Sequence, residues 1–136
     1  MELNINRLSS TDYDNILCQW WRDWRWTPPP KDFLPEDGTG GYIVYDDETP
    51  VCAGFMYMTN SKAVWCDWII SNINYKDRDK RKAAIRLLIG HITDIAKNSG
   101  HRYSYALIQS KPLIEAYKEL GYTESSKYTS EMIKIL

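Results

Sequence analysis

Two groups of residues combine side-chain types that could do chemistry. Asp67 lies between Trp65-Cys66 and Trp68-Ile69-Ile70, in a run otherwise made of large apolar side chains. Burial among such side chains raises the pKa of a carboxyl and makes it a better proton acceptor. The second group is a basic run at the start of a long helical pattern: Lys76, Arg78, Lys80, Arg81, Lys82 and Arg86, with Asp77 and Asp79 as the acids. Cations at a helix N-terminus, together with its free N–H groups, favour phosphate binding.

Each group also has a purely structural interpretation. Asp67 could point to solvent from the polar face of a strand, or pair with an arginine. The basic run could be the solvated face of a helix. Position within the fold has to decide between these alternatives.

A third group is aromatic. Four tryptophans occur between Trp20 and Trp26, before Pro28-Pro29-Pro30 and Phe33. Such side chains can form a wall for an amine through cation–π contacts, with Asp32, Glu36 or Asp37 as a nearby anion. The spacing of the first three tryptophans also fits the buried stripe of a helix. We therefore expect Trp20, Trp21 and Trp24 in the core, and Trp26, Asp32 and Phe33 at a substrate pocket.

Composition excludes several classes of protein. The chain has 136 residues and a formal net charge of -1, which fits one domain over residues 1–136 and gives no overall attraction to nucleic acid or anionic membrane. No apolar run reaches membrane-spanning length and the first residues do not resemble a signal peptide, so we expect a cytoplasmic protein. The cysteines and histidines lack metal-ligand spacing, so no metal site is expected: Cys18, Cys52, Cys66, His91 and His101.

Hydrophobic periodicity predicts the elements that must position these residues. A strand over Leu3–Leu8 precedes a helix from Tyr13, with Thr11 and Asp14 spaced as a capping box and the proline run as its end. Three antiparallel strands follow, then a long helix, a strand, a short helix from Ser110 to Gly121, and a hairpin. Their predicted ranges are Gly41–Tyr45, Val51–Met58, Ala63–Ile70, Lys80–Asn98, His101–Ile108, and Tyr122–Ser126 with Ser130–Leu136. The strand–helix–strand unit around the long helix predicts one parallel crossover.

This order of elements resembles the GNAT superfamily of N-acetyltransferases over nearly the whole chain. Residues 113–122, LIEAYKELGY, are similar to a late family segment in which Tyr117 matches a tyrosine and Gly121-Tyr122 matches Gly-Phe. The stretch from Trp20 to Pro35 resembles a GNAT-like subset encoded by bacteriophages. The resemblance implies an α+β fold, with a mixed, mostly antiparallel twisted sheet flanked by helices, and acetyl-CoA as cosubstrate.

The resemblance also implies roles for individual residues. Tyr117 would protonate the departing thiolate, although its ring could instead simply pack in the core, and Asp67 would accept the proton of the amine. The family's phosphate loop falls on Asp79, Lys82 and Ala84, of which only Ala84 matches, so side-chain cations are expected to replace some backbone contacts. Coenzyme contacts are expected from Ile69, Ile70, Arg78, Lys80, Arg81, Lys82, Ala83, Ala84 and Ser110.

The function implied is an acyl-CoA-dependent N-acyltransferase that moves an acetyl group to a primary amine by direct attack in a ternary complex. The alternative is a catalytically inactive binding protein on the same fold, such as a phage factor that blocks a host protein. Its partner would then be that host protein, and a homodimer is open for either function. Nucleic acid is a disfavoured partner because the overall charge is balanced.

Overall fold

A computed structural model describes residues 2–127 and 130–136. This part of the chain contains five strands: β1 (Leu3–Arg7), β2 (Gly41–Asp46), β3 (Thr49–Met58), β4 (Ala63–Ser71) and β5 (Tyr103–Tyr105). They form one sheet in the order β1-β2-β3-β4-β5. Strands β1 to β4 are antiparallel neighbours, while β4 and β5 are parallel and are joined through a long helix. The predicted parallel crossover is confirmed.

Helices cover both faces of the sheet. A π-helical turn, Tyr13–Leu17, runs into α1 (Cys18–Asp23) on one face, and α2 (Arg78–Asn98) and α3 (Lys111–Glu119) pack on the other. Successive strand residues alternate between the two cores, as the pleat requires. The α2 side buries Val44, Cys52, Cys66, Leu88, Ile89 and Ile92. The α1 side buries Leu17, Trp21, Ile43, Phe55 and Ile70.

The first helix differs from its prediction at its start. The capping box does not form; Asp12 precedes the helix, and its carboxylate accepts from the Ser9 N–H instead of a helical one. Trp20 and Trp21 are buried and Trp24 is half-buried, as the helical stripe predicts. The following loop contains two 3₁₀ turns, Lys31–Phe33 and Pro35–Gly38.

Two predictions near the C-terminus are wrong. The strand expected over His101–Ile108 is only Tyr103–Tyr105, because beyond Tyr105 the chain leaves β4 and the Leu107 N–H donates to the Asp67 side chain. The expected terminal hairpin is absent, since residues 122–127 and 130–136 contain no strand. The large apolar side chains of the last segment are exposed: Met132, Ile133, Ile135 and Leu136.

The three cysteines are buried and free, as expected of small apolar core residues. Burial raises the pKa of the Cys66 thiol to about 12, so it is not a thiolate at neutral pH. Within residues 2–127 and 130–136, no group of three or more histidine, cysteine or acidic side chains is arranged to hold a metal ion. No described helix combines the length and apolarity needed to cross a membrane.

Candidate active site

Strands β4 and β5 separate shortly after they pair. Their last paired residues are Trp65 and Tyr105, but β4 continues to Ser71. The edge of β4 from Cys66 to Ser71 therefore faces no strand among the described residues. We call this opening the β4–β5 fork. Backbone N–H and C=O groups along such an edge can bind an extended ligand as an added strand would.

Asp67 lies inside the fork. One carboxylate oxygen accepts from the Trp68 N–H at 2.9 Å, and the other accepts from the Leu107 N–H at 3.0 Å, so the side chain bridges the two diverging segments. Burial raises the pKa of this carboxyl, and the two N–H donors oppose that rise. Asp67 thus lies in the desolvated position that the sequence predicts. The same side chain also holds together β4 and the segment that follows β5.

A bulge in β4 brings the next residue to the same face. Trp68 has a φ of 56°, a left-handed conformation that few residues other than glycine adopt, and the β3–β4 register shifts opposite it. Such strain is found where a side chain has to be re-aimed. Asp67 and Trp68 can therefore both lie on the α1 side of the sheet, which a regular strand would not allow.

Tyr117 lies at the vertex of the fork. Its ring is buried on α3, and its hydroxyl donates to the Cys66 carbonyl at 2.6 Å, one residue beyond the last β4–β5 pair. Burial raises the pKa of Tyr117 far above its usual range, so the hydroxyl keeps its proton. The ring also packs edge-on against Tyr122, at 4.9 Å between centroids. Both suggested roles, hydrogen-bond donor and core residue, have a physical basis here.

The start of α2 is occupied in part by the protein's own groups. The Asp77 carboxylate caps the helix by accepting from the Lys80 N–H at 3.1 Å. Lys80 also pairs with Asp46 at 3.4 Å, and Arg81 donates to the carbonyls of Asn72 and Tyr75. Arg78 and Lys82 are exposed at the surface. Among the cations expected to bind phosphate, Arg78 and Lys82 are therefore the two whose charged groups face solvent.

Other expected coenzyme contacts are placed less favourably. Because α2 begins at Arg78, the N–H groups of Lys82, Ala83 and Ala84 belong to the helix interior, where intrahelical carbonyls accept them. Ala84 is fully buried against the sheet. Ser110 is exposed and precedes α3.

The two β4 isoleucines differ in side-chain orientation. Ile69 lies over Gly54, where an added Cβ would approach its Cδ1 to 2.5 Å. Ile70 is buried on the α1 side. Both are on the part of β4 that borders the fork.

The predicted substrate residues separate into two places. Phe33 packs edge-on against Trp68 at 5.4 Å between centroids, which puts it beside the fork, and the neighbouring Asp32 is exposed. Trp26 is 56% exposed and stacks on Trp24, whose indole N–H donates to the Ser71 carbonyl at the far end of β4. Phe33 and Trp26 therefore do not form one continuous aromatic surface.

Sequence reasoning missed Tyr57. It pairs directly with Trp65 across β3 and β4, and its hydroxyl donates to the Phe33 carbonyl at 3.3 Å. Burial and the nearby charge of Asp67 raise the pKa of this phenol. The β3–β4 register shows that Tyr57 lies beside Trp65, whereas the alternation of side chains within one strand does not.

Comparison with known proteins identifies the fold. No protein-family model matches the chain, and no curated protein matches it. Solved structures do match. AAC(6')-Iy in complex with the bisubstrate analogue CoA-S-monomethyl-acetylneamine has a TM-score of 0.68 at 14% identity, covering 99% of this chain and 100% of that one.

Two further solved structures are similar to this chain in fold. The ribosomal-protein-S18-alanine N-acetyltransferase from Escherichia coli has a TM-score of 0.67 at 15% identity, covering 92% of this chain and 80% of that one. A probable acetyltransferase from meticillin-resistant Staphylococcus aureus has a TM-score of 0.68 at 17% identity, covering 98% and 100%. The chain therefore has the GNAT acyl-CoA N-acyltransferase fold, which confirms the predicted fold class.

Proposed function

We propose that this protein is an acyl-CoA-dependent N-acyltransferase that transfers an acetyl group from acetyl-CoA to a primary amine. The observation that carries the proposal is the β4–β5 fork, with the Asp67 carboxylate inside it and the Tyr117 hydroxyl at its vertex. A desolvated proton acceptor and a hydrogen-bond donor beside an unpaired strand edge are the groups that this transfer needs.

The fork suits the arm of the coenzyme. An extended chain that contains amides can pair with the β4 edge between Cys66 and Ser71, as an added strand does. Because N–H groups of successive strand residues point to opposite edges, one of the Ile69 and Ile70 N–H groups faces the fork, and that one is the donor proposed for the acyl carbonyl. Acetyl-CoA, when bound, supplies the activated thioester.

The phosphates of the coenzyme would meet side chains more than backbone. Arg78 and Lys82 supply two exposed cations at the start of α2. The N–H groups of Arg78 and Asp79 have no intrahelical acceptor, because they belong to the first turn. Ser110, exposed before α3, is the remaining proposed contact. Lys80 and Arg81 are paired with the protein's own groups, and Ala83 and Ala84 have no free N–H group to offer.

The reaction proposed is direct attack of the amine within a ternary complex, without a covalent enzyme intermediate. Asp67, or a water molecule next to it, takes the proton that the amine loses. As the amine nitrogen forms the C–N bond and the C–S bond breaks, Tyr117 turns its hydroxyl from the Cys66 carbonyl to the leaving sulfur and stabilises the thiolate with a hydrogen bond. The thiolate then takes its proton from solvent. Asp32 and Phe33 are the residues proposed to contact the acceptor beside the fork. Trp26, expected with them, lies at the far end of β4 and is not placed to contact the same group.

Substitution of the two neighbouring tyrosines tests this assignment. Tyr117→Phe should lower kcat by about 100-fold or more, the usual loss when one donor to a developing negative charge is removed, with acetyl-CoA affinity nearly unchanged. Tyr122→Phe is the matched control. The Tyr122 ring packs against that of Tyr117, but its hydroxyl forms hydrogen bonds with Thr93 and Ser104. Tyr117→Phe removes one buried hydrogen bond and Tyr122→Phe removes two part-buried ones, so each variant should lose about 1–2 kcal/mol of stability. An unchanged kcat in Tyr117→Phe removes the assignment.

We propose one alternative, a binding protein on this fold that does not use a coenzyme, such as a phage factor that blocks a host protein. The Asp77 carboxylate favours it, because a negative charge already caps the helix at which a pyrophosphate would bind. Asp67 also fills part of the fork by bridging to Leu107.

Calorimetric titration with acetyl-CoA separates the two functions. An enzyme should bind it with micromolar affinity that weakens with salt, and should be stabilised by about 2.7 kcal/mol at a ligand concentration 100 times Kd. Absence of both heat and thermal stabilisation would support the binding protein and end the transferase proposal.

A further inference from the structure

An aromatic patch surrounds Asp67 on the α1 side of the sheet. Residues paired directly across antiparallel strands point to the same face, and Tyr57 pairs with Trp65 while Phe55 pairs with Asp67. Because Phe55 and Tyr57 are two residues apart, all four side chains share this face. The bulge adds Trp68, and Phe33 packs against it. We define the aromatic patch as Phe33, Tyr57, Trp65 and Trp68.

The patch is accessible to a ligand. Phe33 is 40% exposed, and the other three side chains are only half-buried. Trp65 also contacts the ring of Tyr105, at 4.5 Å between centroids, where β5 ends. The aromatic patch therefore extends from the 3₁₀ turn of Phe33 along the sheet to the opening of the fork.

The polar groups of the patch are few and already engaged. The Tyr57 hydroxyl donates to the Phe33 carbonyl, and both Asp67 oxygens accept one N–H each. A carboxylate has further lone pairs, so Asp67 can still accept from an ammonium. The site offers the Asp67 carboxylate among several ring faces, with the exposed Asp32 next to Phe33 at its border.

We propose that the aromatic patch is the acceptor subsite and selects arylalkylamines, primary amines whose ammonium is joined to an aromatic body. This inference rests on the proposed function. The ammonium matches the Asp67 carboxylate among the rings, and the ring faces accept both the cation and the apolar body of the substrate. An amine with many hydroxyl groups would lose hydration without gaining partners, so the patch disfavours aminosugars.

Binding of three small molecules to the full chain tests the substrate class without requiring turnover. The probes are 2-phenylethylamine, 2-phenylethanol as its uncharged analogue, and neamine as a polyhydroxylated amine. We expect the phenylethylamine to bind at least about tenfold more tightly than either of the others, a ratio typical of one charged contact together with a cation–π contact. Equal binding of all three, binding of none, or preference for neamine overturns the inference.

Matched variants locate the subsite. Phe33→Leu keeps an apolar side chain but removes the ring, and should raise Kd for 2-phenylethylamine by about three- to tenfold without a change for acetyl-CoA. Tyr42→Leu is the control, because its ring packs on His91 at the opposite face of the sheet. Equal effects of the two substitutions would overturn the location, and thermal melting of each variant checks that it is folded.

The same titrations keep the two proposals apart. If acetyl-CoA fails to bind while 2-phenylethylamine binds through Phe33, the transferase proposal fails and the subsite remains as an amine-binding site. If acetyl-CoA binds and other amines are acetylated while Phe33→Leu has no effect, the enzyme remains and the arylalkylamine inference is wrong.

Discussion

Burial and hydrogen bonding act in opposite directions on the Asp67 carboxyl, and burial is the larger effect. The folded-state pKa is therefore above the unfolded one, so the folded protein holds this proton more tightly. Stability should fall as pH rises from the unfolded pKa to the raised folded pKa. Activity should change in the other direction, because the proposed base must be ionised. We expect kcat to rise with pH through the folded pKa of Asp67.

Asp67→Asn tests this expectation. The variant should lack the rising limb of the kcat profile and have a much lower plateau, and its unfolding free energy should no longer decline over that acidic interval. Its amide oxygen can replace only one of the two carboxylate acceptors, for Trp68 or Leu107. Steady-state rates and urea unfolding from pH 4 to 8 measure both effects.

If Asp67→Asn keeps the same rise of kcat with pH as the wild type, the titration belongs to another group. Asp94→Asn, on the exposed face of α2, is the control and should keep the wild-type profile.

At the scale of single elements, the cap of α2 links stability to coenzyme affinity. Asp77→Asn keeps a side-chain oxygen for the Lys80 N–H, so stability should change by less than about 0.5 kcal/mol. It removes a negative charge at the proposed phosphate site, so affinity for CoA should rise about two- to fivefold at low salt and less at high salt. Titration at two ionic strengths measures this. Asp94→Asn, on the same helix away from its start, is the control; a rise of equal size there would show that overall charge, not the helix start, determines affinity.

The pairing of β2 with β3 depends on a close approach at Gly41. A Cβ at this position would overlap the Gly54 carbonyl oxygen and lie 2.9 Å from the Phe55 Cα, and these backbone atoms cannot move aside cheaply. Gly41→Ala should therefore cost about 1–3 kcal/mol or more.

Gly90 in α2 is the matched comparison, because only Leu120 Cδ2, at 3.8 Å, is near its added Cβ. Gly90→Ala should instead stabilise the protein by about 0.5–1 kcal/mol through helix propensity. Urea unfolding of both variants measures the two effects, and a neutral Gly41→Ala would mean that β2 and β3 can separate there.

An element is predictable from the sequence where its own residue pattern determines it, and less so where a neighbouring strand does. Period-2 and period-3.6 patterns suffice for β1 to β4, α2 and α3, because those elements bury one face or stripe. The end of β5 is set by its neighbour: pairing stops at Trp65, and Asp67 then accepts from Leu107. Alternation within residues 101–108 carries no information about that partner.

The candidate site was predictable only in part. Asp67 among aromatic residues and Tyr117 near the end of a helix are visible in the sequence, and the structure brings both to the fork. The left-handed Trp68 has no glycine to mark it, and Tyr57 joins the site only through cross-strand register. The Asp77 cap lies within the basic run, where counting charges hides its role.

On the scale of the whole molecule, the terminal segment is the largest departure from the expected fold. Its side chains at Met132, Ile133, Ile135 and Leu136 are between 70% and 108% exposed, so they contribute little buried area to the domain. Clustered exposed apolar side chains promote association between molecules. We expect the chain to self-associate through this segment as its concentration rises.

A double variant, Ile133→Ser with Ile135→Ser, tests this expectation. Its thermal midpoint in dilute solution should be close to that of the wild type, because both side chains are largely exposed, Ile133 to 70% and Ile135 to 93%. Ile92→Ala, at a fully buried position of α2, should lose about 2–5 kcal/mol and shows that the assay detects lost packing. Sedimentation velocity over a range of concentrations should find the wild type associating and the double variant monomeric. A lowered midpoint for the double variant at high dilution would mean that the segment packs on its own domain, and that the exposed arrangement is not the one it adopts in solution.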